Sequence, residues 1–266
     1  MRPTLTVVAA LLLAGPAAQA ADLTEVDEIV RRANLAAYYA GDDGRSEARM
    51  SIEDAQGRKQ LRQFTILRKD EADGADQHFM VFFSRPSDVR GTVFLVDKHV
   101  DGDDDRWLYL PGLDLVKRIS AGDKRTSFVG SHFFYEDVSG RNPALDEHRL
   151  VETTADHYVL ESMPRDAAVV EFASYRAWVD KTTFMPMKIE YADGKGRVYR
   201  RVESLQVEDV KGFPTTTRSR VTDLDSGGST TMEFRFIEYD VGLPSDIFSE
   251  RYMRTPPAEW LRREGG

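Results

Sequence analysis

Apolar and polar residues alternate at a period of two along much of this chain, and that pattern restricts its fold more than any other feature. Met185, Met187, Ile189 and Tyr191 fall on one side of a run, while Lys188 and Glu190 fall on the other. Met232, Phe234 and Phe236 oppose Glu233 and Arg235 in the same way. Successive side chains of an extended strand point to opposite faces, so each run predicts a strand with one buried face. Comparable signals cover residues 58–68, 77–83, 92–96, 107–110, 115–120, 157–163, 173–179, 197–207 and 215–222. Asp193-Gly194, Lys211-Gly212 and Asp225-Ser226-Gly227-Gly228 supply hairpin turns between neighbours. About 10–11 strands with such local connections form a mainly β, antiparallel meander. A sheet of that size curls, which leaves a concave apolar face in need of cover.

Two segments are suited to cover it. The first is an amphipathic helix, with Thr24 and Asp27 resembling a capping box and Val26, Ile29, Val30, Ala33 and Ala37 forming one apolar stripe. Gly41 is expected to end it. The second is the stretch from Phe128 to Val138.

Ahead of the helix, Arg2, the apolar run Leu5–Ala14 and Ala18-Gln19-Ala20 have the order of a cleaved signal peptide. Residues 1–20 are therefore expected to be removed, leaving residues 21–266 as one exported domain. The chain has no cysteine, which excludes disulfides and a lipid-bearing cysteine, so a soluble, unanchored periplasmic product is expected. The formal net charge of −9 argues against general nucleic-acid binding and against adsorption to anionic lipid by bulk charge.

Signatures of catalysis are missing from the sequence: G-x-S-x-G, H-E-x-x-H, the P-loop and the Rossmann glycine pattern do not occur. The five histidines (His78, His99, His132, His148 and His157) lack the spacing of a helical metal pair. Asp101, Asp103, Asp104 and Asp105 lack the twelve-residue calcium-loop pattern and read as a solvated hairpin loop. Glu136-Asp137 offers acid–base groups in principle only. No enzyme activity, metal or cofactor is expected.

A hairpin pairing Trp107-Leu108-Tyr109-Leu110 with Val116-Lys117-Arg118-Ile119 is more informative. It can place cations at the rim of an apolar cavity, where an amphiphile with an anionic head would fit. It can equally be a core hairpin whose Lys and Arg reach past the apolar layer to water.

At this hairpin the chain resembles the outer-membrane lipoprotein-sorting family, the LolA-like periplasmic carriers, and within it the branch found beside RND-type exporters. The likeness rests on Arg90-Gly91-Thr92-Val93-Phe94-Leu95, Arg106-Trp107-Leu108-Tyr109-Leu110-Pro111 and Lys117-Arg118-Ile119. It continues through Ser127-Phe128-Val129-Gly130-Ser131, Phe133, Tyr135-Glu136-Asp137-Val138 and Trp178-Val179-Asp180-Lys181. Phe184-Met185-Pro186-Met187-Lys188 and Phe248-Ser249-Glu250-Arg251-Tyr252-Met253 complete it. His132 and Phe134 depart from the pattern, standing where an acid and a small polar residue are usual.

The resemblance implies an unclosed β-barrel with a helical lid over a hydrophobic cavity. It also implies a carrier of lipid or lipoprotein acyl chains that works with an RND-type exporter. Candidate cavity residues are Phe94, Trp107, Tyr109, Met185, Met187, Ile189, Met232, Phe234 and Phe236. Lys117 and Arg118 are candidate contacts for a head group or partner. A register slip of one residue would turn any of the strand choices outward. Two other readings stay open: a periplasmic adaptor of a transporter without lipid cargo, and an enzyme acting on envelope lipid or glycan.

Overall fold

Alternating residues become strands along nearly the whole chain in the computed structural model, which describes residues 22–262. The expected signal peptide lies outside those residues. A first meander comprises β1 (Asp43–Glu53), β2 (Lys59–Asp70), β3 (Gln77–Arg85), β4 (Val93–Lys98), β5 (Asp105–Leu110) and β6 (Leu115–Ile119). A second comprises β7 (Asp146–Thr153), β8 (His157–Pro164), β9 (Ser174–Asp180), β10 (Pro186–Ala192), β11 (Val198–Val210), β12 (Phe213–Asp223) and β13 (Ser229–Tyr239). The first and last strands pair antiparallel and join the meanders into one 13-stranded sheet, ordered β6-β5-β4-β3-β2-β1-β13-β12-β11-β10-β9-β8-β7.

Sequence patterning predicts eleven of these strands and misses β1 and β7. In β1, alternation shows only in Ala48, Met50 and Ile52, among charged neighbours. Strand β7, Asp-Glu-His-Arg-Leu-Val-Glu-Thr, lies at the sheet edge, is mostly exposed and carries a bulge at Leu150/Glu152. Edge strands are commonly charged and bulged, which erases the apolar signal.

The strand order determines what closes the barrel. Strands β6 and β7 are consecutive in sequence yet lie at opposite edges of the sheet. Residues 120–145 between them therefore cross the concave side. There Phe128, Phe133 and Tyr135 pack on Ala48, Met50, Phe64, Phe79, Val81 and Phe94. This crossover carries a short helix, α2 (Tyr135–Ser139). Phe128 sits at its centre, with ring centroids 5.4 Å from Phe94, 5.7 Å from Phe83 and 5.6 Å from Tyr135.

The convex face of β2–β5 is buried as well. Leu67, Met80, Phe82, Val93 and Leu95 point away from the crossover, against Leu243, Ile247, Phe248 and Met253 of the C-terminal segment. That segment includes α3 (Glu250–Arg254) and α4 (Ala258–Leu261). Burial on both faces explains the unbroken apolar run in β3. Buried Asp43 anchors the segment's start by accepting hydrogen bonds from the backbone N–H groups of Val241 (2.7 Å), Gly242 (3.2 Å) and Leu243 (2.6 Å).

The N-terminal helix forms as α1 (Val26–Tyr38). The expected Thr24 cap does not: the N-cap is Glu25, without a side-chain cap bond, and the helix ends at Tyr39 rather than Gly41. Ile29 is fully buried against Tyr158, Leu160 and Val179, with Val26, Val30 and Ala33 beside it.

Candidate functional site

Between the concave face, the crossover and the C-terminal half of α1 lies a cavity of about 400 Å³. Its wall comes from strands of both meanders: Phe64, Ile66, Phe79 and Val81 from the first, Ile189, Val202, Met232 and Phe234 from the second. Phe128, Phe133 and Val138 roof it, and Ala36, Ala37 and Tyr38 of α1 flank it.

Four of the nine candidate cavity residues, Met185, Ile189, Met232 and Phe234, lie on this wall. Phe94 points to the concave side but is fully buried beneath Phe128 and Tyr135, a layer deeper than the cavity lining. Trp107 and Tyr109 are corrected to the opposite face. They pair with Leu95 and Val93, share their convex side, and pack under the C-terminal segment. An aromatic stripe shows that a face is buried, not which one.

Met187 and Phe236 are displaced by bulges. Across β10 and β9, Pro186 opposes Val179 and Lys188 opposes Trp178, so Met187 is an extra residue outside the lining. On β13, Arg235 opposes Glu47 and Glu238 opposes Arg45, so two residues oppose Ser46 alone. Phe236 takes φ 51 at that point and is half exposed. Beyond the bulge the inward parity flips, and Ile237 and Tyr239 line the cavity.

Lys117 and Arg118 lie on exposed edge strand β6 and do not line the cavity. Arg118 pairs with Asp105, and Asp104 with Arg106, so these loop carboxylates serve ion pairs.

Sequence patterning does not reveal the charged groups of the lining, because alternation marks apolar faces and not which charges pair. Glu136, on α2, accepts from Arg125 at 2.6 Å and Arg141 at 3.2 Å. Arg141 also holds Asp146 through two bonds of 2.8 Å. Asp137 pairs with buried Arg200 and accepts the Phe134 N–H at 2.6 Å. The ring of Phe134 lies 4.2 Å from the Arg200 guanidinium and 5.1 Å from that of Arg125. Stacking on both cations gives Phe134 a place in the network. His132 docks the other end of the crossover on β13, its N–H donating to Thr230 Oγ1 at 3.0 Å. Burial holds its imidazole pKa below the ordinary value.

A second network ties α1 to the crossover. Arg68 donates to the carbonyls of Tyr38, Ala40 and Gly41 at 2.5–2.6 Å, taking up acceptors left open at the helix end. Gln77 donates to Tyr38 O at 2.8 Å, and Lys98 Nζ donates to Ser139 O at 2.8 Å and Gln77 Oε1 at 3.3 Å. Gly140, at φ 76, lies so close to the Tyr38 ring that an added Cβ would sit 2.4 Å from it.

Burial lowers the Lys98 pKa from 10.5 to about 8, so between these values the unfolded chain binds a proton that the folded chain does not. Folding stability contributed by this group therefore rises with pH across that window. Relative to Lys98→Met, the wild type is expected to gain at most about 1.4 kcal/mol per pH unit between about pH 8 and 10.5. Urea unfolding of both proteins across that range measures it; parallel pH profiles would contradict the assignment.

An unclosed barrel with a crossover lid and an apolar cavity is the fold of LolA-like lipoprotein-sorting proteins. A domain described as an outer membrane lipoprotein-sorting protein, from Vibrio parahaemolyticus, superposes with a TM-score of 0.77 at 28% identity, covering 86% of this chain and 98% of that one. A LolA superfamily protein from Nitrosomonas europaea shares the fold at 21% identity and TM-score 0.66, covering 87% of this chain and 100% of that one. A DUF1329 family protein from Desulfovibrio piger is 31% identical, with a TM-score of 0.77, over 85% of this chain and 96% of its own. A family model described only as an uncharacterized protein matches residues 75–255. The chain belongs to the DUF1329 family. No curated protein matches it.

Proposed function

We propose that residues 21–266 form a single periplasmic carrier domain that shelters lipid or lipoprotein acyl chains and passes them on without chemical change, in partnership with an RND-type exporter. The observation that carries this reading is the apolar cavity beneath the crossover, whose wall offers a chain continuous aliphatic and aromatic contact. Each buried methylene contributes about 0.8 kcal/mol, so such a wall can hold a tail without a covalent bond. Met185 and Met232 suit a variable guest because the unbranched thioether side chain adapts to irregular gaps. Glu136 and Asp137 are held by arginines, an arrangement that keeps them in structural ion pairs. Among the described residues, no helix is long and apolar enough to cross a membrane.

Native mass spectrometry of protein purified from periplasm without detergent tests the reading. The expected result is an added mass that fragments as a lipid. An apo mass together with failure to bind a fluorescent fatty acid would favour a cargo-free adaptor.

A further inference from the structure

Two histidines that do not line the cavity sit at one end of the barrel, where residues 71–76 join β2 to β3 and residues 99–104 join β4 to β5. His78 Nδ1 lies 2.8 Å from Asp97, its cross-strand partner on β4, and Nε2 lies 3.2 Å from Glu71. His99 Nδ1 lies 3.0 Å from Asp76, and Nε2 lies 3.7 Å from Asp105 of β5. Each imidazole thus meets a carboxylate at both nitrogens. A neutral ring carries one N–H and can donate to only one of them, whereas the imidazolium serves both.

The same two turns hold the covers of the concave face. Tyr39, at the end of α1, donates through its hydroxyl to Ala75 O at 2.7 Å, and an added Cβ on Gly74 would meet Leu35 of α1 at 3.9 Å. From the crossover, Asn142 donates to Val100 O at 2.7 Å and Ser139 Oγ to Asp104 at 3.4 Å. We propose that His78 and His99 form a pH-sensitive clasp: as imidazolium ions they tie one turn to the other, and with the turns α1 and the crossover, and on losing their protons they let both covers loosen. The clasp concerns how the cavity is covered and does not depend on what the cavity holds.

The charges around the two rings give the direction of the effect. Besides Asp97 and Glu71, His78 faces Lys69, its neighbour on β2, and the ring of Phe248 from the C-terminal segment, 5.6 Å away. Asp104 accepts the His99 backbone N–H at 3.3 Å, and Asp97 adds a longer-range attraction to its ring. Arg106 and Arg118 are taken by Asp104 and Asp105. The hydrogen bonds to Asp97 and Asp76 hold the pKa of His78 and of His99 above the ordinary 6.5. The stability the rings contribute is therefore full below about 6.5 and is lost as pH rises through their raised values. Asp76 is held below the usual carboxylate range by His99 and by the Val100 N–H, so the clasp stays charged on the acid side. Lys98, lowered to about 8, and His132, also lowered, change stability with the opposite sign, so neither mimics the clasp.

Hydrogen exchange at about pH 6 and about pH 8, corrected for intrinsic rates, tests the clasp in the wild type and in the double variant His78→Gln/His99→Gln. Glutamine keeps a donor but not the charge. In the wild type, protection at residues 35–41, 71–76 and 135–142 is expected to fall about fivefold at the higher pH, the scale set by part-exposed ion pairs. Strands β11–β13 should not change. In the variant the same residues should be weakly protected at both pH values. Ring-resolved NMR titration of the wild type, which needs no variant, should place the midpoints of His78 and His99 above 6.5, in the interval where protection falls. Midpoints at or below 6.5, equal protection at both pH values, or a pH effect that survives in the variant would overturn the proposal. So would a loss confined to residues 71–76 that leaves α1 and the crossover protected. No lipid enters the experiment, so the carrier reading stands or falls separately.

Discussion

Replacing Glu136 by alanine is expected to remove about 3 kcal/mol of unfolding free energy, near the lower end of what breaking a buried ion pair costs. Glu136 is 3% exposed and accepts from Arg125 and Arg141, with Lys124 Nζ at 3.9 Å. Its loss leaves two buried guanidiniums short of one carboxylate. The lower end is chosen because Arg125 keeps Glu171 at 2.7 Å and Arg141 keeps Asp146. Glu136→Gln retains the shape and an acceptor, so about half that loss is expected. Urea unfolding gives the number, as a lower midpoint at unchanged slope. The damage should concentrate in residues 120–145, because Glu136 and both of its arginines, Arg125 and Arg141, belong to the crossover. Hydrogen exchange would show this as faster exchange at Tyr135–Ser139 with β1–β3 unaltered. A loss below about 1 kcal/mol would mean that Glu171 and Asp146 satisfy the arginines unaided.

Much of the architecture is legible in the residue pattern because it follows from local geometry. Alternation depends on the pleat, so Met232/Phe234 and Ile189/Tyr191 announce strands with an inward face wherever those strands end up. The pattern does not show how strands are partnered. The barrel's closure follows from β1 pairing with β13, which throws β6 and β7 to opposite edges and makes the crossover a roof. The sequence marks Phe128–Val138 as a cover, but nothing within Ser120–Leu145 states which strand edges it joins. The charged lining is hidden for the same reason: Arg200 finds Asp137 across 63 residues, and Arg125 finds Glu171 across 46. Trp107 and Tyr109 fit a cavity wall only if the sheet has one buried face, whereas β4 and β5 have two. The bulges at Met187 and Phe236 are decided by the partner strand's register; Pro186, which cannot donate to the ladder, is a local mark beside the first, and the second has none.

The bulge on β13 yields the sharpest functional test, because it separates residues that the sequence treats as equivalent. Phe234→Asp is expected to weaken binding of a 12-carbon amphiphile at least about 30-fold, since an ionised carboxylate on the wall must be desolvated when the tail arrives. Phe236→Asp, two residues on and of the same strand parity, should change affinity by less than about twofold. Its side chain is half exposed and outside the lining. Ile237→Asp breaks the parity and should behave like Phe234→Asp, because the bulge turns residue 237 inward. Titration of the three variants, each checked for an unchanged far-ultraviolet spectrum and urea midpoint, reads the result directly. The order expected is loss, no loss, loss. If instead 234 and 236 fail together while 237 is silent, the strand runs unbulged in solution and the mouth of the cavity is built differently. If none of the three affects binding, the tail lies elsewhere, and the cavity under the crossover is not where this protein holds its cargo.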